Sequence, residues 1–183
     1  MFLNLAAFVK RSRVNGPGLR AVLWVKGCPH RCPGCFNPDM QPFSVEEIFS
    51  VAETAARIIS LKDIEGITFT GGEPFAQAAA LAELGGILQK KGLNIVTYTG
   101  YTLENLKEGE NGEWNRLLAV TDLLIDGPFI KKQQGDFPMR GSANQRLFFL
   151  TDRLENHPDL ERKGREVEIL IKPDGDLVLT GFP

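Results

Sequence analysis

The chain has 183 residues, a net charge of −2, 43% hydrophobic and 24% charged residues. That length suits a single domain, residues 1–183, with a sizeable core, and the near-neutral charge gives no general attraction to nucleic acid or to an anionic membrane. No apolar run approaches the roughly 20 residues that span a bilayer, and the mildly apolar start, Met1 to Lys10, lacks the basic leader of a signal peptide. Three clustered cysteines without such a leader therefore point to a reducing cytoplasm.

Residues 11–18 carry the turn signals Asn15-Gly16 and Pro17-Gly18. A strand follows from Leu19 to Lys26, and its run Val22-Leu23-Trp24-Val25 suits burial on both faces. Next comes Cys28-Pro29-His30-Arg31-Cys32-Pro33-Gly34-Cys35, which holds every cysteine of the chain. Ser44, with Glu47 three residues on, reads as a capping box that opens a helix, with Ile48, Ala52, Ala55 and Ile59 toward the core. Ile64 to Thr70 is a second strand, ending in Gly71-Gly72-Glu73-Pro74. A long helix runs from about Phe75 to Lys91, with Gly92 as its C-cap. Leu93 to Thr97 makes a third strand, followed by Tyr98-Thr99-Gly100-Tyr101. A short helix from Thr102 and another near Trp114 to Val120 precede a fourth strand, Leu123 to Ile125, which ends at Asp126-Gly127-Pro128.

Residues 127–144 have no clear period and carry Lys131, Lys132 and Arg140. A loop of that length in a compact domain is a functional or a disordered segment. Leu147 to Leu150 reads as a fifth strand, Asp152 to Arg165 as a charged stretch with a short helix, and Val167 to Ile171 as a sixth strand. A turn at Pro173-Asp174-Gly175-Asp176 leads to a last short strand, Leu177 to Thr180. Strands alternating with helices predict parallel βαβ units in an α/β fold, as an open partial barrel or a doubly wound sheet. Each pointed motif lies just after a strand, at the sheet edge where such folds bind ligands.

The spacing CxxxCxxC brings three thiolates to one centre, one ligand fewer than a closed tetrahedral site or a fully ligated iron–sulfur cubane takes. On a [4Fe–4S] cluster the vacancy leaves one iron open to a ligand that is not protein. A zinc site with His30 as fourth ligand is a second reading, which demands a tight local turn. A redox dithiol at Cys32 and Cys35 is a third, and leaves Cys28 unexplained. Gly71 and Gly72 let a ligand approach the backbone. Glu73 can cap the following helix or meet a ligand cation. Thr99 and Asp126 can bond a hydroxylated ligand such as a ribose, although Asp126 also fits an ordinary turn before glycine.

CxxxCxxC followed by Gly71-Gly72-Glu73-Pro74 after the next strand resembles the radical S-adenosylmethionine (SAM) superfamily. Val14-Asn15-Gly16-Pro17-Gly18-Leu19-Arg20, the cysteine loop with Phe36-Asn37, Asp126-Gly127-Pro128-Phe129 and the run from Arg140 to Arg146 look like the activating proteins of anaerobic ribonucleoside-triphosphate reductase, among the glycyl-radical enzyme activases. The resemblance implies a partial TIM barrel of about six parallel βα units. It implies a [4Fe–4S] cluster on Cys28, Cys32 and Cys35, with SAM on the open iron. Gly34 and Phe36 would lie beside the adenine, with Cys35 between them also counted among the cofactor-binding residues, Gly71, Gly72 and Glu73 at the methionyl amino group, and Thr99 and Asp126 at the ribose or a bound cation. It further implies reductive cleavage of SAM to a 5′-deoxyadenosyl radical, a glycyl radical on a partner enzyme and a flavodoxin-like electron donor. Gly34 stands where many activases carry an aromatic residue, and the stretch 152–165 and the tail exceed the shorter members. Residues 127–146 are the expected partner-facing loop. The alternatives are a small-molecule enzyme such as a 7-carboxy-7-deazaguanine synthase, and a zinc-binding interaction module.

Overall fold

The computed structural model describes residues 1–171, 175 and 177–181. It opens with two strands, β1 (Phe2–Ser12) and β2 (Arg20–Val25), then β3 (Glu47–Ser50) and helix α1 (Val51–Ile59). Next come β4 (Gly66–Gly71), α2 (Ala78–Gln89), β5 (Asn94–Tyr98), α3 (Leu103–Glu108), α4 (Gly112–Ala119) and β6 (Leu123–Asp126). Three short hairpin and edge strands follow, β7 (Gln134–Phe137), β8 (Arg140–Ser142) and β9 (Arg146–Phe149), and the described chain closes with β10 (Val167–Ile171) and β11 (Leu177–Gly181).

The main sheet has seven strands in the order β3-β1-β2-β4-β5-β6-β9. Only β2, β4, β5 and β6 run parallel, joined by the helical crossovers that parallel pairing requires. The remaining strands depart from the expectation of six parallel units. β9 returns along β6 antiparallel, with Asp126 opposite Arg146. β10 and β11 pair only with each other, because the short connection between them permits a hairpin but no crossover. The turn expected at 173–176 falls largely outside the described residues.

Two elements differ from their sequence reading for local reasons. The first residues form β1, antiparallel to β2 and interrupted by irregularities between Leu5 and Ala7 and between Val9 and Ser12. Those shifts break the alternation that would have marked the strand. Helix α1 begins at Val51, not near Ser44. Ser50 is its N-cap, and its side chain and that of Glu53 complete the reciprocal capping box. The segment before it pairs with β1 instead, from Phe2 opposite Ser50 to Leu5 opposite Glu47. The helix buries Val51, Thr54, Ala55 and Ile58, while Ile48 and Ile59 are exposed.

All four helices contribute to one core on one face of the sheet. Ile58 of α1, Leu84 of α2, Leu106 of α3 and Leu117 of α4 pack with Leu23, Phe69, Ile95 and Leu124 from the strands, all of them fully buried. Alternate strand residues point the other way, where Val22 and Trp24 form one small cluster and Val96, Leu123 and Ile125 another. Among the described residues no α-helix contributes to these two clusters. Leu154 and Val178, from the chain beyond β9, pack into them.

Candidate metal centre and cofactor cleft

The four parallel strands end side by side. Their next residues are the cysteine loop after β2, Gly71 to Glu73 after β4, Thr99 and Gly100 after β5, and Gly127 after β6. All four loops line one cleft of about 660 Å³, counting the solvent at its mouth. Cys28, Cys32, Cys35, Phe36, Gly71, Gly72, Glu73 and Thr99 are all in that lining, so motifs separated by up to 71 residues share one site. Gly34 and Asp126 are the two expected residues the structure does not bring to the lining.

The cysteines are free thiols and half-buried. The loop is fixed at its entry, where the N–H groups of Gly27 and Cys28 donate to the carbonyls of Met40 and Gln41 at 2.8 and 2.9 Å. Burial pushes the Cys28 and Cys32 thiols up, and backbone donors oppose it: the N–H groups of His30 and Arg31 at Cys28, and that of Phe129 at Cys32. The Asn37 N–H donates to the Cys35 sulfur at 3.4 Å. Each sulfur thus has a backbone donor aimed at it, an arrangement that stabilises thiolates and tunes an iron–sulfur cluster.

Among the described residues no three His, Cys, Asp or Glu side chains converge on a point that would hold a single metal ion. Among the described residues His30 belongs to no such group, and its Nε2 lies 3.0 Å from Glu73 Oε2. Three sulfurs spread around a cleft suit a cubane, whose three ligated irons occupy different corners, better than one zinc ion. The thiols and their donors fit a [4Fe–4S] cluster.

Glu73 is buried and holds the rim together. Its Oε1 accepts from the Phe75 N–H and the Thr99 hydroxyl, both at 2.9 Å, and its Oε2 from the Gly100 N–H at 2.8 Å. With His30 this fills the roughly four acceptor positions of a carboxylate. It therefore does cap the turn that starts at Pro74, and Thr99 reaches Glu73 with its hydroxyl. Gly71 has φ +105°, and a Cβ at Gly72 would lie 2.3 Å from the Gly27 carbonyl oxygen. Neither position admits a side chain, because the β4 turn presses on the backbone of β2 and the cysteine loop.

Asp126 is fully buried beneath the rim. It accepts from the Leu103 N–H at 2.7 Å, so capping α3, and from Arg146 Nε and Nη2 at 3.0 and 2.6 Å. Arg146 also bonds Glu104, whose carboxyl it holds down at about 2. Gly34 lies on the outer side of its loop, in the left-handed region at φ +75°, with the Lys131 stem against it. Sequence reasoning did not single out Phe129 and Gln145, which also line the cleft. Phe129 packs on Phe36 with ring centroids 4.8 Å apart. Their signal was position, inside the runs 126–129 and 140–146, rather than chemistry.

A family model described as a 4Fe-4S single cluster domain matches residues 14–148. An anaerobic ribonucleoside-triphosphate reductase-activating protein of Enterobacteria phage T4 is 33% identical over 150 residues, which cover 79% of this chain and 92% of the phage protein. The protein of that name from Vibrio cholerae is 36% identical over 141 residues, covering 72% and 88%. That from Escherichia coli K12 is 31% identical over 142 residues, covering 72% and 89%. The chain belongs to the family of anaerobic ribonucleoside-triphosphate reductase-activating proteins. The family match runs from the turn before β2 to β9, and so contains all four loops of the rim. It ends before β10 and β11. Among the described residues no helix is long and apolar enough to cross a membrane.

Proposed function

We propose that this chain is a radical SAM enzyme that activates an anaerobic ribonucleoside-triphosphate reductase by generating a glycyl radical on it. One observation carries the reading: three thiols, with no fourth metal ligand grouped with them among the described residues, line the same cleft as the Gly71-Gly72-Glu73 turn and Phe36. Cys28, Cys32 and Cys35 would hold a [4Fe–4S] cluster and leave one iron for the amine and carboxylate of SAM. Bound there and reduced, such a cluster would supply the electron for cleavage of SAM to methionine and a 5′-deoxyadenosyl radical, and that radical would take a hydrogen atom from a glycine Cα of the reductase.

The chain's own residues have separable tasks. The N–H donors at the three sulfurs favour thiolates despite burial. Gly71 and Gly72 keep the β4 turn open to a ligand's polar end. Phe36, backed by Phe129, gives adenine an apolar wall. Glu73 and Thr99 hold the rim in shape. Asp126 holds Arg146 and the start of α3 beneath the rim, through its bonds to Leu103 and Arg146. With this reading go the partial barrel, whose four parallel strands present one rim, a flavodoxin-like electron donor, and a reducing cytoplasm that keeps the thiols free.

The test is anaerobic reconstitution with iron and sulfide, then SAM and a strong reductant. About four irons and four sulfides per chain, 5′-deoxyadenosine, and a glycyl-radical EPR signal on added anaerobic reductase are expected. Stoichiometric zinc with no SAM cleavage would make the chain a zinc module. SAM cleavage that never gives a radical on a reductase would make it a small-molecule enzyme.

A further inference from the structure

The cysteine loop and the β4 turn have to keep one mutual position if a ligand is to meet both. Backbone bonds fix the entry of the loop, where the Gly72 N–H donates to the Val25 carbonyl and the Glu73 N–H to the Gly27 carbonyl, each at 2.8 Å. Beyond Cys28 the connection passes through His30. Its N–H is one of the donors at the Cys28 sulfur, and its ring Nε2 lies 3.0 Å from Glu73 Oε2. We propose that His30 is a positioning residue, which ties the cysteine loop to the Gly71-Gly72-Glu73 turn and so sets how SAM meets the cluster, while Cys28, Cys32 and Cys35 hold the cluster. The inference rests on the function proposed above and adds to it a residue that acts through Glu73.

Among the described residues, His30 makes the one side-chain hydrogen bond that runs from residues 29–31 to the rim. Its side chain is 18% exposed, so water could replace it as a partner of Glu73. Water could not join the two loops.

The ring itself is held in place. A Cβ on Gly100 would lie 2.4 Å from His30 Cδ2, so the glycine gives its side-chain space to the imidazole. On another side stands Tyr101, edge to face, with ring centroids 4.4 Å apart. The contacts then close into a circuit. Tyr101 packs on Trp114 with centroids 4.7 Å apart, Trp114 Nε1 donates to the Phe75 carbonyl at 3.0 Å, and the Phe75 N–H donates to Glu73 Oε1 at 2.9 Å. Glu73 returns the circuit to His30. The loops after β2, β4 and β5, with α4 behind them, thus brace one imidazole between a cluster ligand and the turn. Such bracing matters for reaction geometry, because a misplacement of about 1 Å can cost about a hundredfold in rate.

The experiment compares cluster-reconstituted wild-type protein with His30→Ala, His30→Phe and His30→Gln. His30→Ala removes the tie. His30→Phe removes the bond to Glu73 and keeps a ring beside Gly100 and Tyr101. His30→Gln keeps a side-chain N–H donor. All three are expected to hold wild-type iron and sulfide. In His30→Ala and His30→Phe, SAM affinity by equilibrium dialysis should fall about tenfold or more, and 5′-deoxyadenosine should form about ten- to a hundredfold more slowly. The change that SAM induces in the EPR spectrum of the reduced cluster should shrink with them. His30→Gln should recover most of the affinity and of the EPR change. A lowered urea midpoint with wild-type SAM affinity and EPR response would make the contact a matter of stability alone and overturns the proposal. Loss of iron in the variants overturns it too, since His30 would then support the cluster. Should His30→Ala fail to fold, His30→Phe decides alone. Failure of the underlying function has a different signature: wild-type protein with a full cluster would show no SAM-induced EPR change and no 5′-deoxyadenosine, and both readings would fall.

Discussion

At Glu73 four donors converge on one buried carboxylate, and three of them come from loops that follow other strands or cysteines. Deleting one leaves an acceptor short of a partner, a loss of about 1–3 kcal/mol when the group is buried. His30 is the partner best placed to be spared, because its side chain is 18% exposed where that of Glu73 is 1% exposed. His30→Gln is therefore expected to retain iron and sulfide, while Cys28→Ser, Cys32→Ser and Cys35→Ser each abolish the cluster and SAM cleavage. Loss of iron on the histidine substitution would contradict this ligand assignment. Gly72 makes a second prediction at this scale. Gly72→Ala drives a methyl into the Gly27 carbonyl, where hydrogen bonds from Gly72 N–H to Val25 and from Glu73 N–H to Gly27 prevent retreat. It should cost about 1–3 kcal/mol in urea unfolding. Gly86→Ala meets nothing within 4 Å in helix α2, and should instead stabilise by about 0.5–1 kcal/mol.

Between β6 and β9 lies the element whose role changed most on folding. As sequence, residues 127–146 were an aperiodic basic loop. In the structure they include the β7–β8 hairpin, and the loop reaches back to the cysteines through the Phe129 N–H at Cys32 and the Lys131 stem at Gly34. The three basic residues between 127 and 144 are not equivalent. Arg140 is engaged within the loop, donating to the Gln145 carbonyl at 3.0 Å and lying over the Phe137 ring. Lys131 and Lys132 are exposed. The double variant Lys131→Glu, Lys132→Glu is expected to weaken reductase binding several-fold at low salt, with the difference shrinking as ionic strength rises. Iron content should stay intact. Surface plasmon resonance at two salt concentrations checks it, and salt-independent binding would rule out a charge contact. The displaced start of α1 belongs to the same scale. Ser44 with Glu47 and Ser50 with Glu53 both have capping-box spacing, and pairing of Glu47–Ser50 with β1 decides between them.

For the whole molecule, the chain beyond β9 is tied to the start of the parallel sheet. His157 Nε2 lies 3.1 Å from Glu65 Oε2, and Asp159 accepts from the Gly18 N–H at 2.8 Å. The hydrogen bond from His157 holds the Glu65 carboxyl below its ordinary value of 4.5. A carboxylate lowered on folding stabilises the protein fully above its unfolded value, and that contribution disappears as pH falls through the folded one. Glu65 is half exposed, so solvent screening keeps the effect to roughly 1 kcal/mol or less. The stability difference between wild type and Glu65→Gln should thus be steady at neutral pH and close as pH drops below 4.5. Urea midpoints across that range measure it, and a difference that widens in acid would contradict the assignment.

The amino-acid sequence alone determined the chemistry of the centre. Three cysteines within eight positions are a local property, and so are the glycines of the β4 turn and the apolar run of β2. It also determined that the motifs follow strands, because a βαβ pattern is written in local periodicity. Only the tertiary structure decided which strands run parallel, that Asp126 sits beneath the rim on Arg146, and that His30 meets Glu73. Those outcomes depend on partners 20 to 46 residues away, and no local pattern encodes a partner's position. The β10–β11 hairpin is the extreme case, since Asn15 and Thr180 are 165 residues apart and meet only because the hairpin folds back onto the sheet.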